Sequence, residues 1–453
     1  MDLLFSLMVI ALIPNTFTFK IDLASFNNVL RKLEKVAAEK NDTNVNGDIG
    51  LDIYKFLKKY DYPFETHWVR TEDGYMLRMQ RLLGGRNQTF YGQKNKPAVL
   101  LMHGLCSSAM DFISMGPNKS IGLILADAGY DVWLGNNRGN TWSRNHILLN
   151  PDTDTEFWDY SFETCGYYDL PAKIDYIIEK TGQKKVFYIG HSQGTTQFFA
   201  MAALRPEYNE KIALMVALAP VAYMGNMSSP ILKFMANNLD FFKLVIVNIL
   251  KLNEMLSHSP IYNLMAEIIS KDESGKLLEL GASFVFLLCG FNNRGFDRNI
   301  IPVMVSNAPA GISSKMLVHY GQEIASGKFQ RYDYGIANFK YYKSIYPPEF
   351  NISEITAPVA LYYSQNDLLA AVQDVERFAS KLPNLVKLKL LEDKRFNHLD
   401  FIYGKDSYKL IYKDLLEFQK QFIPKIGNAA AAMSIKNIHY IITVLTVCIF
   451  VLQ

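Results

Sequence analysis

Residues 186–199 read VFYIGHSQGTTQFF: an apolar run, a Gly-His-Ser-Gln-Gly break at 190–194, then a second apolar run. A serine between two glycines arises by chance in a chain of 453 residues, so its meaning rests on its flanks. Upstream, 186–189 is a short unbroken apolar stretch, the signature of a buried strand. Downstream, 195–205 carries apolar residues at three-to-four spacing, the signature of a helix. Strand, tight turn and helix together form the setting of a nucleophile elbow. Gly190 and Gly194 keep the turn free of side chains where strand and helix crowd together. Ser192 is then raised at the carboxyl edge of a sheet with His191 beside it. A helix beginning near Gln193 offers free N–H groups and a positive dipole end to an oxyanion.

The strand signature recurs on both sides. PAVLLM (97–102) stops at His103-Gly104, and YDVWL (130–134) stops before GNNRGN. ALMVALA (213–219), APVALYY (357–363) and VKLKLL (386–391) follow, and each reads as a fully buried strand. Helical periodicity lies between them at 120–129, 170–182 and 195–205, with Pro171 near a helix start, where its missing N–H costs nothing. This alternation predicts an α/β protein with a mostly parallel sheet and helices on both faces. It fails from Met224 to Pro348, where FFKLVIVNILKL (241–252) and LLELGASFVFLLCG (277–290) are helical and strongly apolar. That stretch reads as a helical insertion over one sheet edge, a lid facing a lipid substrate. The chain therefore divides into a signal peptide (1–19), the first part of the core (20–223), a helical cap and lid (224–350), the second part of the core (351–425) and a tail (426–453).

A serine hydroxyl is a poor nucleophile at neutral pH and needs a base. Of eight histidines, His398 in RFNHLDF lies in a loop after the last strand run. His103 and His191 stand at strand ends, better placed to shape the pocket. His67, His146, His258 and His319 lack such a setting, and His439 is in the tail. The carboxylate that orients the base should stand at a strand end between Ser192 and His398. Asp367, directly after 357–363, fits, although a helix N-cap is its other reading. Asp374, seven residues on, falls along a helix, and Asp393, after the next strand, is the runner-up. The oxyanion hole needs two N–H donors: the amide of Gln193 and, from the loop MHGLCSS, the amide of Leu105. Nothing in the spacing of Cys, His or acidic residues suggests a metal, and the chemistry needs no cofactor.

Hydrophobic residues make up 49% and charged residues 20%, ample for a large core, and a net charge of +3 is too mild for a nucleic-acid partner. The apolar stretch Leu3–Ile13 reads as a secretory signal, with a buried N-terminal helix as the other reading. Sequons at Asn41, Asn87, Asn118, Asn226 and Asn351 agree with passage through the secretory pathway. The ending KIGNAAAAMSIKNIHYIITVLTVCIFVLQ places small residues, a spacer and an apolar tail in the order of a glycosylphosphatidylinositol signal, with Asn428 the candidate site. A retained membrane helix and a tail without function compete with that reading. Cys106, Cys165 and Cys289 allow one disulfide at most, with Cys448 lost in the tail. Oligomeric state leaves no mark in the sequence.

The sequence resembles the acid lipase family of gastric and lysosomal lipases. VRTEDGYMLRMQRL (69–82), HGLCSSAMDF (103–112), LADAGYDVWLGNNRGNTWSR (125–144), YDLPAKIDYI (168–177), GHSQGTT (190–196), NAPAGISS (307–314), SGKFQRYDYG (326–335), NDLLA (366–370) and FNHLDF (396–401) carry the resemblance. It implies an α/β-hydrolase core with a lidded cap, hydrolysis of long-chain carboxylic esters, a Ser192, Asp367, His398 triad, and oxyanion amides at Leu105 and Gln193. The lipid ester would be met at an oil–water or membrane interface, outside the cell, at its surface or in lysosomes. Two departures stand out. The region 270–284 lacks the cysteine of the family's cap disulfide, and the family ends near residue 425. A short-chain carboxylesterase and a non-catalytic lipid-binding protein are the rival readings.

Overall fold

The structure is a computed structural model that describes residues 47–423. The signal peptide, the Asn41 sequon and the tail with Asn428 lie outside the described residues.

An antiparallel pair, β1 (Phe64–Arg70) and β2 (Met76–Leu82), opens the sheet. β3 (Ala98–Met102), β4 (Asp131–Gly135), β5 (Val186–His191) and β6 (Ile212–Leu218) follow, each preceded by a helix or loop crossing. Two short strands, β7 (Glu254–Met255) and β8 (Ile312–Ser313), pair apart from the sheet. β9 (Val359–Tyr363) and β10 (Leu385–Leu390) complete it in the order β1-β2-β4-β3-β5-β6-β9-β10. From β4 through β10 every pairing is parallel. The residues of β3, β4, β5 and β9 are all buried, which explains their unbroken apolar runs.

The helices include α1 (Ile121–Asp127), α2 (Leu170–Thr181), α3 (Gln193–Leu204), α4 (Pro230–Asn237), α5 (Pro260–Lys271), α6 (Lys276–Cys289), α7 (Ile301–Asn307), α8 (Ser314–Ser326) and α9 (Val372–Ala379). The segment from α4 to α8 stands between β6 and β9, which are neighbours in the sheet. None of the described helices is long and apolar enough to cross a membrane.

The structure adds to or departs from the sequence reading at three places. β10 is not a buried strand: it is the sheet's edge and half exposed, with Lys387 and Lys389 reaching Asp414 at 2.7 and 3.2 Å. Charged residues on an edge strand discourage pairing with a second chain. Pro171 lies in the first turn of α2, but α2 does not start from a loop. The helical run starts at Phe162 and passes through a wide π turn, Cys165–Asp169, before α2. A proline inside a helix cannot bond the carbonyl four residues back, here that of Tyr167, which instead accepts from Arg205 Nη1 at 3.3 Å. The β1–β2 pair was not foreseen, because polar residues interrupt both strands.

After β4, Arg138 is fully buried. Its guanidinium donates to Asp169 at 2.8 and 2.5 Å and to Asp73 at 2.6 and 3.0 Å, and it lies 3.9 Å over the Tyr75 ring. That network ties the GNNRGN loop to the β1–β2 turn and to the π turn before α2.

Gly194 marks where α3 meets the sheet. A Cβ there would lie 2.1 Å from the Met102 carbonyl oxygen. Since that neighbour is strand backbone, Gly194→Ala should cost about 3 kcal/mol or more. Thermal unfolding of the purified variant should show a large drop in Tm, and an unchanged Tm would contradict this packing.

Candidate active site

β5 ends in the elbow. Ser192 has φ 54° and ψ −119°, a conformation that costs a non-glycine residue about 1–3 kcal/mol. Local bonds hold it there. The Ser192 N–H donates to the Leu218 carbonyl at the end of β6 (3.1 Å). Its own carbonyl accepts from the Thr195 N–H (2.8 Å) and hydroxyl (2.6 Å). The side chain stands on the sheet's carboxyl edge, largely buried, at the mouth of an apolar cavity.

Asp367 and His398 meet although 31 residues separate them. His398 Nδ1 lies 2.9 and 2.8 Å from the two Asp367 carboxylate oxygens, and both side chains are buried. Asp367 also accepts from the Leu369 and Ala370 N–H groups at 2.8 and 2.9 Å. Asp367 is not a helix N-cap, since the next helix begins at Val372 with Ala371 before it; it closes its own turn and bonds the histidine. With Nδ1–H given to Asp367, Nε2 is the free nitrogen, buried and without a protein partner. The His191 ring lies tilted beside the His398 ring, 5.1 Å between centroids, and its Nε2–H donates to the His398 carbonyl at 2.9 Å. Burial pushes the His191 imidazolium down to about 3, which keeps that ring neutral.

Asp374 and the runner-up Asp393 are engaged elsewhere. Asp374 accepts from the Asn226 N–H and Nδ2 at 2.7 and 2.8 Å, and Asp393 faces Arg395. The cysteines Cys106, Cys165 and Cys289 are unpaired. Among the sequons, Asn87, Asn118, Asn226 and Asn351 are all exposed.

The end of α6 supports this side of the site, which the sequence did not foretell. Its Cys289 carbonyl accepts from the His398 N–H (3.3 Å) and the Leu368 N–H (3.4 Å). The Gly290 carbonyl accepts from Asn397 Nδ2 at 2.8 Å. One helix terminus thus braces the two loops that carry Asp367 and His398.

On the other side runs the loop after β3. Gly104 packs so closely that a Cβ would lie 3.3 Å from Ser192 Cβ. Among the described residues, neither the Leu105 nor the Gln193 N–H has a protein acceptor, the latter because it opens a helix. Asn140 Nδ2 donates to the Ser107 carbonyl (3.3 Å), Asn136 Oδ1 accepts from the Ala109 N–H (3.1 Å), and the Ala310 N–H donates to the Cys106 carbonyl (2.8 Å). Asp111 Oδ1 accepts from the Ser107 hydroxyl and, at 2.6 Å, from the Tyr403 hydroxyl in the helical turn Asp400–Tyr403 after His398. One carboxylate thereby links the two sides of the site. Asparagines and an aspartate within a loop carry no periodic signal, so their role was not legible from the chain alone.

The cavity beside Ser192 measures about 70 Å³. Leu105, Val221, Met224, Leu369, Leu239 and Phe242 line it together with residues of α4 and α8. α4 contributes Leu232, Met235 and Ala236, and α8 contributes Leu317, Tyr320, Gly321 and Ile324, each set on one helical face.

A mostly parallel sheet, with an elbow serine on its carboxyl edge and a histidine–aspartate pair beside it, defines an α/β hydrolase. Comparison with known proteins agrees. Residues 53–116 match the family model described as partial alpha/beta-hydrolase lipase region, and residues 97–250 match the alpha/beta hydrolase fold. Lipase 1 of Drosophila melanogaster is 40% identical over 376 residues, 83% of this chain and 81% of the relative. Gastric triacylglycerol lipase of Homo sapiens is 40% identical over 372 residues, 82% and 91% of the two chains. Lysosomal acid lipase/cholesteryl ester hydrolase of Macaca fascicularis is 36% identical over 397 residues, 87% and 97%. The chain belongs to this acid lipase family and is a carboxylic ester hydrolase.

Asp111 gives the site a pH signature. Burial raises its carboxyl from 3.8 to about 6, against the lowering effect of its two hydroxyl donors. The folded state then holds a proton that the unfolded state has released, so the stability associated with Asp111 is complete below about 3.8 and is lost as pH rises through about 6. Asp111→Asn carries no such dependence. Relative to wild type, its unfolding free energy should climb by up to about 3 kcal/mol between pH 4 and pH 7. Denaturant titrations of both proteins across that range check this, and a pH-independent difference would contradict it.

Proposed function

We propose that Ser192, His398 and Asp367 are nucleophile, base and orienting carboxylate of a lipase acting through an acyl-enzyme. The observation that carries this is the Asp367–His398 pair, with its unpartnered Nε2, beside an elbow serine at the mouth of an apolar cavity. His398 Nε2 takes the Ser192 proton as Oγ attacks the ester carbonyl. Asp367 holds Nδ1–H and stabilises the imidazolium. The Leu105 and Gln193 N–H groups receive the oxyanion, joined by the positive end of α3. Collapse expels the alcohol, protonated from Nε2. A water deprotonated at the same nitrogen then releases the fatty acid.

The apolar lining favours long acyl chains over short ones. Yet about 70 Å³ is far below the ~300–1,000 Å³ of typical ligand sites, so α4 and α8 must part to admit a substrate. Residues 224–350 are accordingly read as cap and lid, inserted between core segments 20–223 and 351–425. Phe241, Leu244, Ile249 and Leu250 are exposed on that segment, as suits contact with a lipid phase. The gastric triacylglycerol lipase and lysosomal cholesteryl ester hydrolase relatives support triacylglycerol or steryl ester as substrate and a place in the secretory pathway. Glycans at Asn87, Asn118, Asn226 and Asn351 accord with that route. Anchoring at Asn428 belongs to the same reading.

Ser192→Ala should lower ester hydrolysis by at least about 10³-fold while thermal unfolding stays near wild type. A fluorophosphonate should label wild type and not the variant. A folded variant with wild-type turnover, or labelling at another residue, contradicts the triad. With p-nitrophenyl esters of increasing length, kcat/KM should rise from butyrate to long-chain acyl groups. A steady fall would identify a short-chain carboxylesterase instead.

A further inference from the structure

His103 ends β3 with its ring buried, and each of its nitrogens has a partner that can play only one part. Nε2 lies 3.1 Å from the Asn137 backbone N–H, a group that only donates, so Nε2 accepts. Asn140 Nδ2, also a donor, stands 3.3 Å from the same nitrogen. A neutral ring that accepts at Nε2 carries its proton on Nδ1. Nδ1 lies 2.8 Å from the Gly104 carbonyl oxygen, which only accepts. One tautomer of the neutral ring satisfies every contact, and no other state does. Burial pushes the imidazolium down to about 4, in keeping with a neutral ring.

The Gly104 carbonyl shares a peptide plane with the Leu105 N–H. In a trans peptide the two bonds point in opposite directions, and the plane turns only as a unit. Fixing the oxygen therefore fixes the direction of the amide. This plane lies against the nucleophile: a Cβ on Gly104 would be 3.3 Å from Ser192 Cβ and 3.2 Å from His191 Nδ1.

We propose that His103 is a positioning residue for the oxyanion hole: its Nδ1–H holds the Gly104 carbonyl and so aims the Leu105 N–H at the Ser192 reaction centre. The Asn137 N–H and the Asn140 side chain set the tautomer that makes this possible. The inference rests on the assignment of Leu105 as an oxyanion donor.

The test separates two amide replacements. Asn places an N–H₂ near the position of Nδ1 and can still reach the Gly104 carbonyl, whereas Gln extends to the position of Nε2 and cannot. On a soluble short-chain ester, with active sites counted by phosphonate titration, His103→Gln and His103→Phe should lose about 10²-fold in kcat with KM little changed. His103→Asn should stay within about tenfold of wild type, as a direct donor is retained. Equal kcat for the Asn and Gln variants, or wild-type kcat for Phe, overturns the proposal. Should these variants fail to fold, ¹⁵N NMR of the wild-type protein decides: the Nδ1–H tautomer at His103 is expected, and an Nε2–H tautomer or an imidazolium at neutral pH overturns it. Replacing the Leu105 amide by an ester removes the N–H itself. Loss of kcat there with an unaffected His103→Phe overturns the His103 role alone. Unchanged kcat in the ester variant overturns the oxyanion assignment beneath it.

Discussion

The active edge depends on how closely the 190–194 turn approaches the end of β3. A Cβ at Gly194 would lie 2.1 Å from the Met102 carbonyl oxygen, and one at Gly190 would lie 2.7 Å from Gly194 backbone. Only that closeness lets β5 hand over to α3 within a single residue of positive φ, so that Ser192 stands clear of the sheet. The same closeness brings the loop after β3 against Ser192. Strain at Ser192 is offset by the Leu218 and Thr195 bonds rather than relieved by a change of residue.

Around this contact the structure assembles two half-sites. Asp367 and His398 come from the loops after β9 and β10, and the last carbonyls of α6 hold both loops in place. The loop after β3 is held by hydrogen bonds with His103, Asn136 and Asn140. Asp111 then joins the halves, with one oxygen bonded to Ser107 on the first loop and Tyr403 beyond His398. Such precision requires bonds from several elements, because a displacement of about 1 Å at the reacting atoms can cost two orders of magnitude in rate.

Much of this was legible in the sequence, for identifiable reasons. The central strands are buried on both faces, so each appears as an unbroken apolar run ended by a turn. Chain order then limited the candidates for base and carboxylate, and Asp367 and His398 do come together. β1 and β2 were missed because polar residues interrupt them. β10 was misjudged because its alternating lysines belong to an edge. Pro171 marks the first turn of α2 as read, but the π turn that extends the helical run upstream of it was missed. The supports of the site (Asp111, Asn136, Asn140 and the end of α6) left no trace, since they act through single hydrogen bonds between residues distant in sequence.

The central claim is geometric: the oxyanion formed on Ser192 lies between the Leu105 and Gln193 amides while His398 Nε2 faces the leaving group. A crystal structure of the adduct with a long-chain phosphonate tests it most directly. The account predicts phosphorus bonded to Ser192 Oγ, with one phosphoryl oxygen about 2.7–3.1 Å from both amide nitrogens. The alkyl chain should run between α4 and α8. Phosphorus on another residue, or a phosphoryl oxygen turned away from both amides, would contradict it.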